Sequence, residues 1–486
     1  MILWRVKPLD QILETAAKKS LKRQLGAFQL TLLGIGAIIG TGIFVLTSEA
    51  AQKAGPGMMI SFIIAAVVCA LAALAYAELA SMVPVSGSAY TYSYAVLGEV
   101  VAWVVGWALI LEYAVAAGAV AVGWSKYVNG LLKSVDMALP QALQAGPWDG
   151  GSFNILAFGV IWLISWLLII GTSKSAKVNA VLVVIKIAAL TAFIAIAVPA
   201  AQVENFEPFL PTGMVGVYAA AASIFFAYVG FDAVSTAAEE TKNPQRNVPI
   251  GLIASLAVCT IFYLLVGYGA AGAIGAQPIM GADGKALEAG SAALIEACRG
   301  SEALVCSGEP LAHVLRQLGF AGYGNAIAVA AGLALPSVIL MMLFGQTRIF
   351  FVMSRDGLLP PLFSRVHPTY HTPHIVTMIT GFIVSLFAAM FPVGILADVS
   401  NSGTLFAFFL VSLGVIVLRK TQPDRFRPFR TPVAWIVCPL AMAGCVFLFF
   451  NLSGNTEMMF FIWAAIGLVV YYLYGKNKSA MAPGNS

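Results

Sequence analysis

Charged side chains are scarce in this sequence. Asp, Glu, Lys and Arg together make up 10% of its 486 residues, whereas 60% of the residues are hydrophobic. Soluble globular domains carry roughly 25% charged residues, so the composition excludes an ordinary soluble fold. Runs of about 20 apolar residues are typical of membrane-spanning helices. The sequence therefore predicts an all-α integral membrane protein with 12 transmembrane helices, at approximately 27–53, 57–82, 98–130, 153–171, 177–200, 214–238, 248–274, 321–353, 374–391, 396–418, 433–452 and 457–475.

The sequence also lacks the residue patterns of catalysis and of cofactor binding. His367, His371 and His374 are close in sequence, but Pro368 and Pro373 interrupt any helical face that would bring them to one metal ion. No nucleophile–base arrangement, phosphate-binding glycine loop, paired-cysteine zinc motif or ATP-binding domain is present. We therefore predict that the chain is not an enzyme and that it holds no metal or other cofactor.

Basic residues are unevenly distributed along the chain. Most of the 27 Lys and Arg residues fall in the termini and in alternate connecting segments. Because cytoplasmic loops of membrane proteins are enriched in Lys and Arg, this distribution predicts that both termini are cytoplasmic, in an inner or plasma membrane. The net charge of +5 then reflects topology and does not indicate a nucleic-acid partner. The basic residues of the outer segments are Lys53, Lys126, Lys133, Lys285, Arg299 and Arg316.

Cysteine is also infrequent, with six residues in the chain. Four of them fall inside predicted spans, where cysteine is most often a small apolar residue. Cys298 and Cys306 share the outer loop 275–320, in which we expect short surface helices. An outer loop faces an oxidising compartment, so a disulfide between these two residues is predicted. The alternative is a pair of free thiols.

Glycine, in contrast, is concentrated where a helix would not need it. The segment GIGAIIGTGIF, residues 34–44, places four glycines inside the first predicted span. Glycine costs about 1 kcal/mol relative to alanine in a helix, so the pattern predicts a break near residues 39–42. The alternative is that these glycines allow close packing between helices, which is common in membranes.

A second interrupted span supports the break. In the segment FFAYVGFDAVS, residues 225–235, Gly230 and Asp232 fall in the middle of the sixth predicted span. Because five spans separate the two breaks, the second copy enters the membrane from the opposite side. Paired discontinuous helices in inverted halves are typical of secondary transporters with a site near the membrane midplane. The predicted units are a cytoplasmic segment 1–26, two five-helix repeats at 27–200 and 214–418, two further helices within 433–475, and a cytoplasmic tail 476–486.

A broken helix also suggests what the site binds. Backbone N–H groups at the start of the second half-helix attract an anion, and the freed carbonyls of the first half-helix suit a cation. A solute with one carboxylate and one ammonium group matches both sets, and an α-amino acid is the simplest one. Glycine permits the close approach that this docking requires.

Lys186, Glu112 and Asp232 are charged residues inside predicted spans, where such residues are usually functional. Lys186 in the fifth span needs a partner or must lose its proton, and it could donate to the carbonyls freed at the first break, in the place of a sodium ion. Glu112 in the third span could face the substrate or share the transfer of protons. The alternative for both is one structural ion pair between them. Asp232 could cap the second half of the sixth span.

Four segments of the chain resemble a known family. These segments look like the amino acid–polyamine–organocation superfamily, and most like its cationic amino acid transporter branch in bacterial form. The resemblance runs from about residue 20 to residue 475 and implies a five-plus-five inverted repeat of the leucine-transporter type, followed by two extra spans. The four segments are GIGAIIGTGIFVLTSEAAQKAGPG (34–57), SMVPVSGSAYTYSY (81–94), FFAYVGFDAVSTAAEETKNPQRNVPIG (225–251) and FGQTRIFFVMSRDGLLP (344–360).

The resemblance also implies roles for individual residues. It implies that the substrate carboxylate meets the amides of Thr41 and Gly42, and that the amino group meets carbonyls of the two breaks. Lys186 would take the place of a sodium site and couple transport to protons. In the eighth span, around Leu335–Ser337, the resemblance assigns no substrate contact. The other implied substrate-binding residues are Ile38, Phe226 and Val229 for the amino group, Glu112 facing the substrate region, and Phe231 as an outer gate.

Two inner segments, SGSAY (86–90) and EETKNPQRNVP (239–249), are candidates for closing the transporter on the cytoplasmic side. In this interpretation Glu239 or Glu240 would pair with Arg246 or Arg355; the alternative is ordinary solvation of the loop.

Together these features predict a proton-coupled, sodium-independent symporter of cationic or small neutral L-amino acids, embedded in the lipid bilayer. An amino acid exchanger and, in a different class, a membrane amino acid sensor are the alternatives.

Overall fold

The protein is described by a computed structural model that covers residues 6–7, 25–83, 88–171, 175–238, 241–370 and 372–481. Over these residues the fold is built from helices, and β-pairing is limited to two isolated bridges. The helices of the main body are α1 (Ala27–Ile38), α2 (Thr41–Phe44), α3 (Leu46–Ala54), α4 (Met58–Met82), α5 (Ser88–Val96), α6 (Glu99–Ser134), α7 (Ile155–Ile170), α8 (Ser175–Ala197), α9 (Gly213–Ile224), α10 (Ala233–Thr236), α11 (Pro244–Ile274), α12 (Ala321–Arg355), α13 (His374–Met390), α14 (Val393–Thr421), α15 (Ala434–Phe449) and α16 (Thr456–Val470).

Many of these helices are suited to a bilayer. In the described part of the chain, seven helical runs are long and apolar enough to cross a membrane, and five further apolar helices are shorter. Every predicted span overlaps at least one of these helices. The long runs are Leu46–Met82, Glu99–Ser134, Ala180–Ala197, Pro244–Ile274, Ala321–Arg355, Val393–Thr421 and Thr456–Lys478. The count of twelve spans, the inverted repeat and the division into repeats stay predictions.

Both predicted interruptions are present in the backbone. The first span consists of α1, α2 and α3, with bends at residues 39–40 and a further irregularity at Val45. The sixth consists of α9, the 3-10 segment Phe225–Tyr228 and the single turn α10. The outer loop between α11 and α12 contains the short helices Ala292–Ala297 and Pro310–Gln317 that the sequence led us to expect.

Helix α6 organises the interior. It packs against α12 and α14, while α1 packs against α11 and α3 packs against α9. Small residues make these contacts close. A Cβ atom on Gly34 would lie 2.5 Å from the Ser255 hydroxyl on α11, and one on Gly123 would lie 2.5 Å from the Thr41 methyl carbon. Some of the glycines in residues 34–44 therefore serve helix packing, as the alternative interpretation proposed, in addition to the break.

Candidate functional site

The break between α1 and α2 leaves backbone groups without helical partners. The last helical bond of α1 runs from the Ile39 amide to the Ile35 carbonyl, and residues 39–40 form a bend that no i→i+4 hydrogen bond crosses. The amides of Thr41, Gly42 and Ile43 are therefore not bonded to the carbonyls of α1. They point from the N-terminal end of α2 and α3, which is the end that attracts an anion.

The second break lies directly against the first. Gly230 has a φ of +110°, a conformation that glycine adopts without strain, and a Cβ atom there would lie 3.0 Å from the Ala37 carbonyl oxygen. A Cβ atom on Gly42 would lie 2.2 Å from Cα of Ala227. Larger residues at either position would push the two broken segments apart, so these two glycines allow the breaks to meet.

A tyrosine on α11 ties the two breaks together. The hydroxyl of Tyr263 lies 3.0 Å from the carbonyl oxygen of Ile38 and 2.9 Å from that of Ala227. A hydroxyl has one proton to donate, so the two carbonyls share it. The Ile38 carbonyl, which the family resemblance assigned to the substrate amino group, is thus already a hydrogen-bond acceptor, and its second lone pair is the one left for a ligand.

A small pocket, with room for about one water molecule, lies where the breaks meet. An amino acid would therefore enter only if the two broken segments moved apart. The side chains around it are apolar apart from Thr41, and no charged side chain belongs to the lining. The lining residues are Ala37, Ile38, Gly40, Thr41, Gly42, Val120, Phe226, Val229, Val338 and Met342.

Five residues assigned to the substrate from the sequence are brought together in this lining: Ile38, Thr41, Gly42, Phe226 and Val229. Sequence reasoning missed the remaining five. Val338 and Met342 line the cavity from α12, the eighth predicted span, where the resemblance assigned no substrate contact, and Val120 lines it from α6. Each is an ordinary apolar residue in an apolar span, so no pattern in the sequence distinguishes it from its neighbours.

Phe231 does not belong to the lining. Its side chain is fully buried, and its ring lies 6.1 Å from that of Tyr76 and 5.0 Å from that of Phe408. Tyr76 lies near the end of α4 that carries Glu78, and the predicted topology places that end on the inner side. The role of Phe231 as an outer gate stays a prediction, and in this arrangement its ring packs in a buried aromatic cluster.

Lys186 on α8 reaches the first break. Its Nζ atom donates a hydrogen bond of 2.8 Å to the Gly36 carbonyl, and the residue is completely buried. In an unbroken helix that carbonyl would accept from the amide of Gly40, so the ammonium group occupies a position that the break vacated. The predicted contact between Lys186 and a freed carbonyl is present in the structure.

Glu112 is also buried, but it lies away from the cavity. It is eight residues before Val120 on α6, which is about 12 Å along the axis at 1.5 Å per residue. Neither carboxylate oxygen has a hydrogen-bond partner in the described residues. Asp232 is its electrostatic neighbour and Thr404 is its polar neighbour. The predicted orientation of Glu112 toward the substrate region stays a prediction, whereas the alternative of an ion pair with Lys186 is not formed among the described residues.

Asp232 differs from its predicted role as well. It occupies the position before α10, but over the described residues its side chain forms no capping hydrogen bond to that helix. Its Oδ2 atom instead accepts a hydrogen bond of 3.2 Å from the hydroxyl of Tyr113 on α6. A capping role is common for aspartate at this position, and here the neighbouring tyrosine provides the partner.

A buried ionic cluster holds the outer half of the first span. Lys53 on α3 pairs with Glu49 at 2.8 Å and lies 3.8 Å from a carboxylate oxygen of Asp398 on α14. Ser223 on α9 bonds to both Lys53 and Asp398, and Ser453 does the same from the segment between α15 and α16. The cluster therefore joins both broken spans to α14 on the side of the cavity that we predict to be outer.

The outer loop packs over the same half-helix. The side chain of Gln52 on α3 accepts from the Ile279 amide at 2.9 Å and donates to the carbonyls of Ile279 and Leu287. Cys298 and Cys306 form a disulfide within this loop, with their Cα atoms 5.3 Å apart.

The predicted inner contacts of Glu239 and Glu240 lie outside the described residues.

Comparisons with known proteins show the family of the chain. A family model described as amino acid permease matches residues 25–471. The branched-chain amino acid permease BcaP of Bacillus subtilis is 46% identical over 476 residues, covering 97% of both chains. The methylthioribose transporter of the same organism is 42% identical over 483 residues, covering 99% of both chains. Cationic amino acid transporter 9 of Arabidopsis thaliana is 34% identical over 465 residues, covering 93% of this chain and 77% of the relative.

Proposed function

Because the chain belongs to the amino acid permease family, a family of multi-pass membrane transporters rather than enzymes, we propose that it carries neutral amino acids with apolar side chains across the cell membrane. Membership of the superfamily is the prediction that the sequence resemblance made, and it is confirmed. The observation that carries the proposal is the cavity itself: unbonded amides at one break, freed carbonyls beside them, and an apolar lining.

The lining favours a neutral substrate over a cationic one. A substrate ammonium or guanidinium side chain would need a carboxylate partner when it leaves water. Of the two buried glutamates on α6, Glu112 is the nearer to Val120, and it lies about 12 Å from it along the helix. Val120, Val338 and Met342 offer only apolar contact, which suits an aliphatic side chain. This agrees with the branched-chain amino acids for which the relative BcaP is named.

Lys186 supports coupling to protons without sodium. Its ammonium group donates to the Gly36 carbonyl, where a metal cation would otherwise bind freed carbonyl oxygens. A buried ammonium with a neutral partner is costly, so release of its proton is favoured when that hydrogen bond is lost. Breaking and remaking the contact as α1 moves would link proton binding to the opening of the cavity. Cytoplasmic termini are part of this proposal.

Two other transport functions and one of a different class are the alternatives. An amino acid exchanger would need no proton step. The methylthioribose transporter relative indicates a second substrate class, a neutral thioether sugar without carboxylate or ammonium groups. A sensor would bind an amino acid without moving it.

Uptake by the purified protein in proteoliposomes separates these functions. We expect valine or leucine to accumulate when the vesicle interior is alkaline, without sodium, and arginine and methylthioribose to be taken up poorly. Accumulation that ignores the pH gradient and requires internal amino acid would identify an exchanger. Uptake of methylthioribose in preference to valine would replace the proposed substrate, and binding without uptake would identify a sensor.

A further inference from the structure

The connector between α14 and α15, residues 422–433, combines two features that seldom occur together in a loop. With the ends of the flanking helices it is rich in basic residues, and it also exposes large apolar side chains. Phe426 is 75% exposed, Val433 is 66% exposed and Trp435 is 54% exposed. Water alone would make this apolar exposure unfavourable.

One set of basic residues shapes the connector from within. Arg419 donates to both carboxylate oxygens of Glu78 on α4, at 3.0 and 2.6 Å. Arg427 lies 3.3 Å from the same carboxylate and donates to the carbonyls of Leu418, Gln422, Pro423 and Arg425. Both arginines therefore form their hydrogen bonds within the protein, and these bonds hold the connector in a fixed shape.

Thr431 fastens the other end of the connector. Its amide donates to Glu78 at 2.8 Å, and its hydroxyl donates to the Leu74 carbonyl at 2.9 Å. The connector is thus attached to α4 as well as to α14 and α15. The exposed side chains of the connector are therefore held in fixed positions by these hydrogen bonds.

Two further basic side chains of this region face outward, whereas Arg425 is partly buried and donates to Gln422 at 3.1 Å. Lys420 and Arg430 are exposed, and the Lys420 ammonium lies 5.8 Å from the centre of the Trp435 ring. Lysine and arginine beside exposed aromatic rings at the end of a spanning helix form the arrangement found where a protein meets the headgroup layer. We name Lys420, Phe426, Arg430 and Trp435 the connector patch.

We propose that the connector patch binds an anionic phospholipid, with Lys420 and Arg430 pairing with the headgroup phosphate and with Phe426 and Trp435 seated among the upper acyl carbons. Charge complementarity supports a lipid with a negative headgroup, since basic residues next to spanning helices attract such lipids. The exposed rings support a lipid over a free phosphate ion, because a free ion would leave them in water. The proposal is independent of the transported substrate.

Binding of phosphatidylglycerol to the purified full-length protein, counted by native mass spectrometry, tests this site. The double variant Lys420→Gln/Arg430→Gln should bind phosphatidylglycerol about 30-fold more weakly, from about 1 kcal/mol per basic side chain. Its binding of phosphatidylcholine with the same acyl chains should not change. The control Lys285→Gln/Arg299→Gln, at exposed basic residues of the outer loop, should retain wild-type affinity for phosphatidylglycerol.

A second variant and a competitor distinguish the sources of phosphate. Phe426→Ser should weaken phosphatidylglycerol binding while leaving both basic side chains in place, and inorganic phosphate should not displace the lipid. The proposal is overturned if the Lys420/Arg430 double variant binds phosphatidylglycerol as well as the wild type, if the Lys285/Arg299 control loses as much, or if inorganic phosphate competes effectively.

Discussion

The Nζ atom of Lys186 lies 2.8 Å from the carbonyl oxygen of Gly36, so a buried cation on α8 closes the end of α1 where the helix breaks. This contact brings together the two features that the sequence made conspicuous: a lysine inside a span and a glycine-rich interruption. A carbonyl freed by the break gains a donor, and the ammonium gains an acceptor that no intact helix would offer.

Replacing Lys186 should uncouple the proposed transport from protons. We expect Lys186→Ala to abolish accumulation of valine driven by a pH gradient, because the proton-binding group is lost, while some valine binding remains. Uptake in proteoliposomes and equilibrium binding in detergent measure the two effects. Lys126→Ala, which removes a lysine paired with Asp149 in the outer region, should leave coupling intact. Normal pH-driven accumulation by Lys186→Ala would rule out the assigned role.

The contact between the breaks should not tolerate even one methyl group. A Cβ atom on Gly42 would lie 2.2 Å from Cα of Ala227, so we expect Gly42→Ala to cost about 1–3 kcal/mol through overpacking and to eliminate valine binding. Gly118→Ala on α6 is the control, since its Cβ atom would meet its nearest neighbour at 3.5 Å. Calorimetric binding and thermal unfolding should separate the two variants; equal behaviour would contradict the close approach.

The tyrosine between the breaks should stabilise both of them. Tyr263→Phe removes the hydroxyl shared by the Ile38 and Ala227 carbonyls, and we expect a loss of about 1–3 kcal/mol in unfolding free energy because buried acceptors lose their donor. Tyr268→Phe, at an exposed position on the same helix, should change stability little. Denaturation in detergent micelles checks the difference. An unchanged stability of Tyr263→Phe would mean that the shared hydrogen bond contributes nothing.

The outer ionic cluster should behave as a coupled unit. Asp398→Asn leaves Lys53, whose side chain is only 11% exposed, with fewer negative partners, and we expect it to destabilise the protein by about 3–5 kcal/mol. Adding Lys53→Met should recover part of that loss, because the unpaired charge is removed. The more exposed pair Lys126–Asp149 is the comparison, with an expected coupling below about 1 kcal/mol. Additive effects of Lys53→Met and Asp398→Asn in a double-mutant cycle would show that the cluster is not coupled.

The sequence was informative where backbone chemistry leaves a visible pattern. Glycine at residues 34–42 and at 230 predicted the two interruptions, and a lone lysine in an apolar run predicted a partner at the break. Helical periodicity does not reveal which face of a long span meets the cavity, so Val120, Val338 and Met342 were missed. The same limit explains Glu112, whose position along α6 was known but whose distance from the cavity depends on how α6 crosses the two broken spans.

Tertiary contacts also override local rules at Asp232 and Phe231. Aspartate before a helix is a common cap, but here Tyr113 from another helix is its hydrogen-bond donor. An aromatic residue after a break is a reasonable gate, but Phe231 belongs to a buried cluster with Tyr76 and Phe408. In both cases the partner is more than 100 residues away in sequence, beyond the reach of a local pattern.

The central claim is that main-chain groups at the two breaks bind both charged poles of a small apolar amino acid. Isothermal titration calorimetry of the purified protein with L-valine, L-valinamide and N-acetyl-L-valine tests it most directly. Each derivative removes the charge at one pole, and loss of a hydrogen bond to a charged group costs about 1.5–3 kcal/mol, or roughly 10-fold or more in affinity. The account predicts that valine binds and that both derivatives bind at least that much more weakly. Equal affinity for valine and either derivative would contradict it.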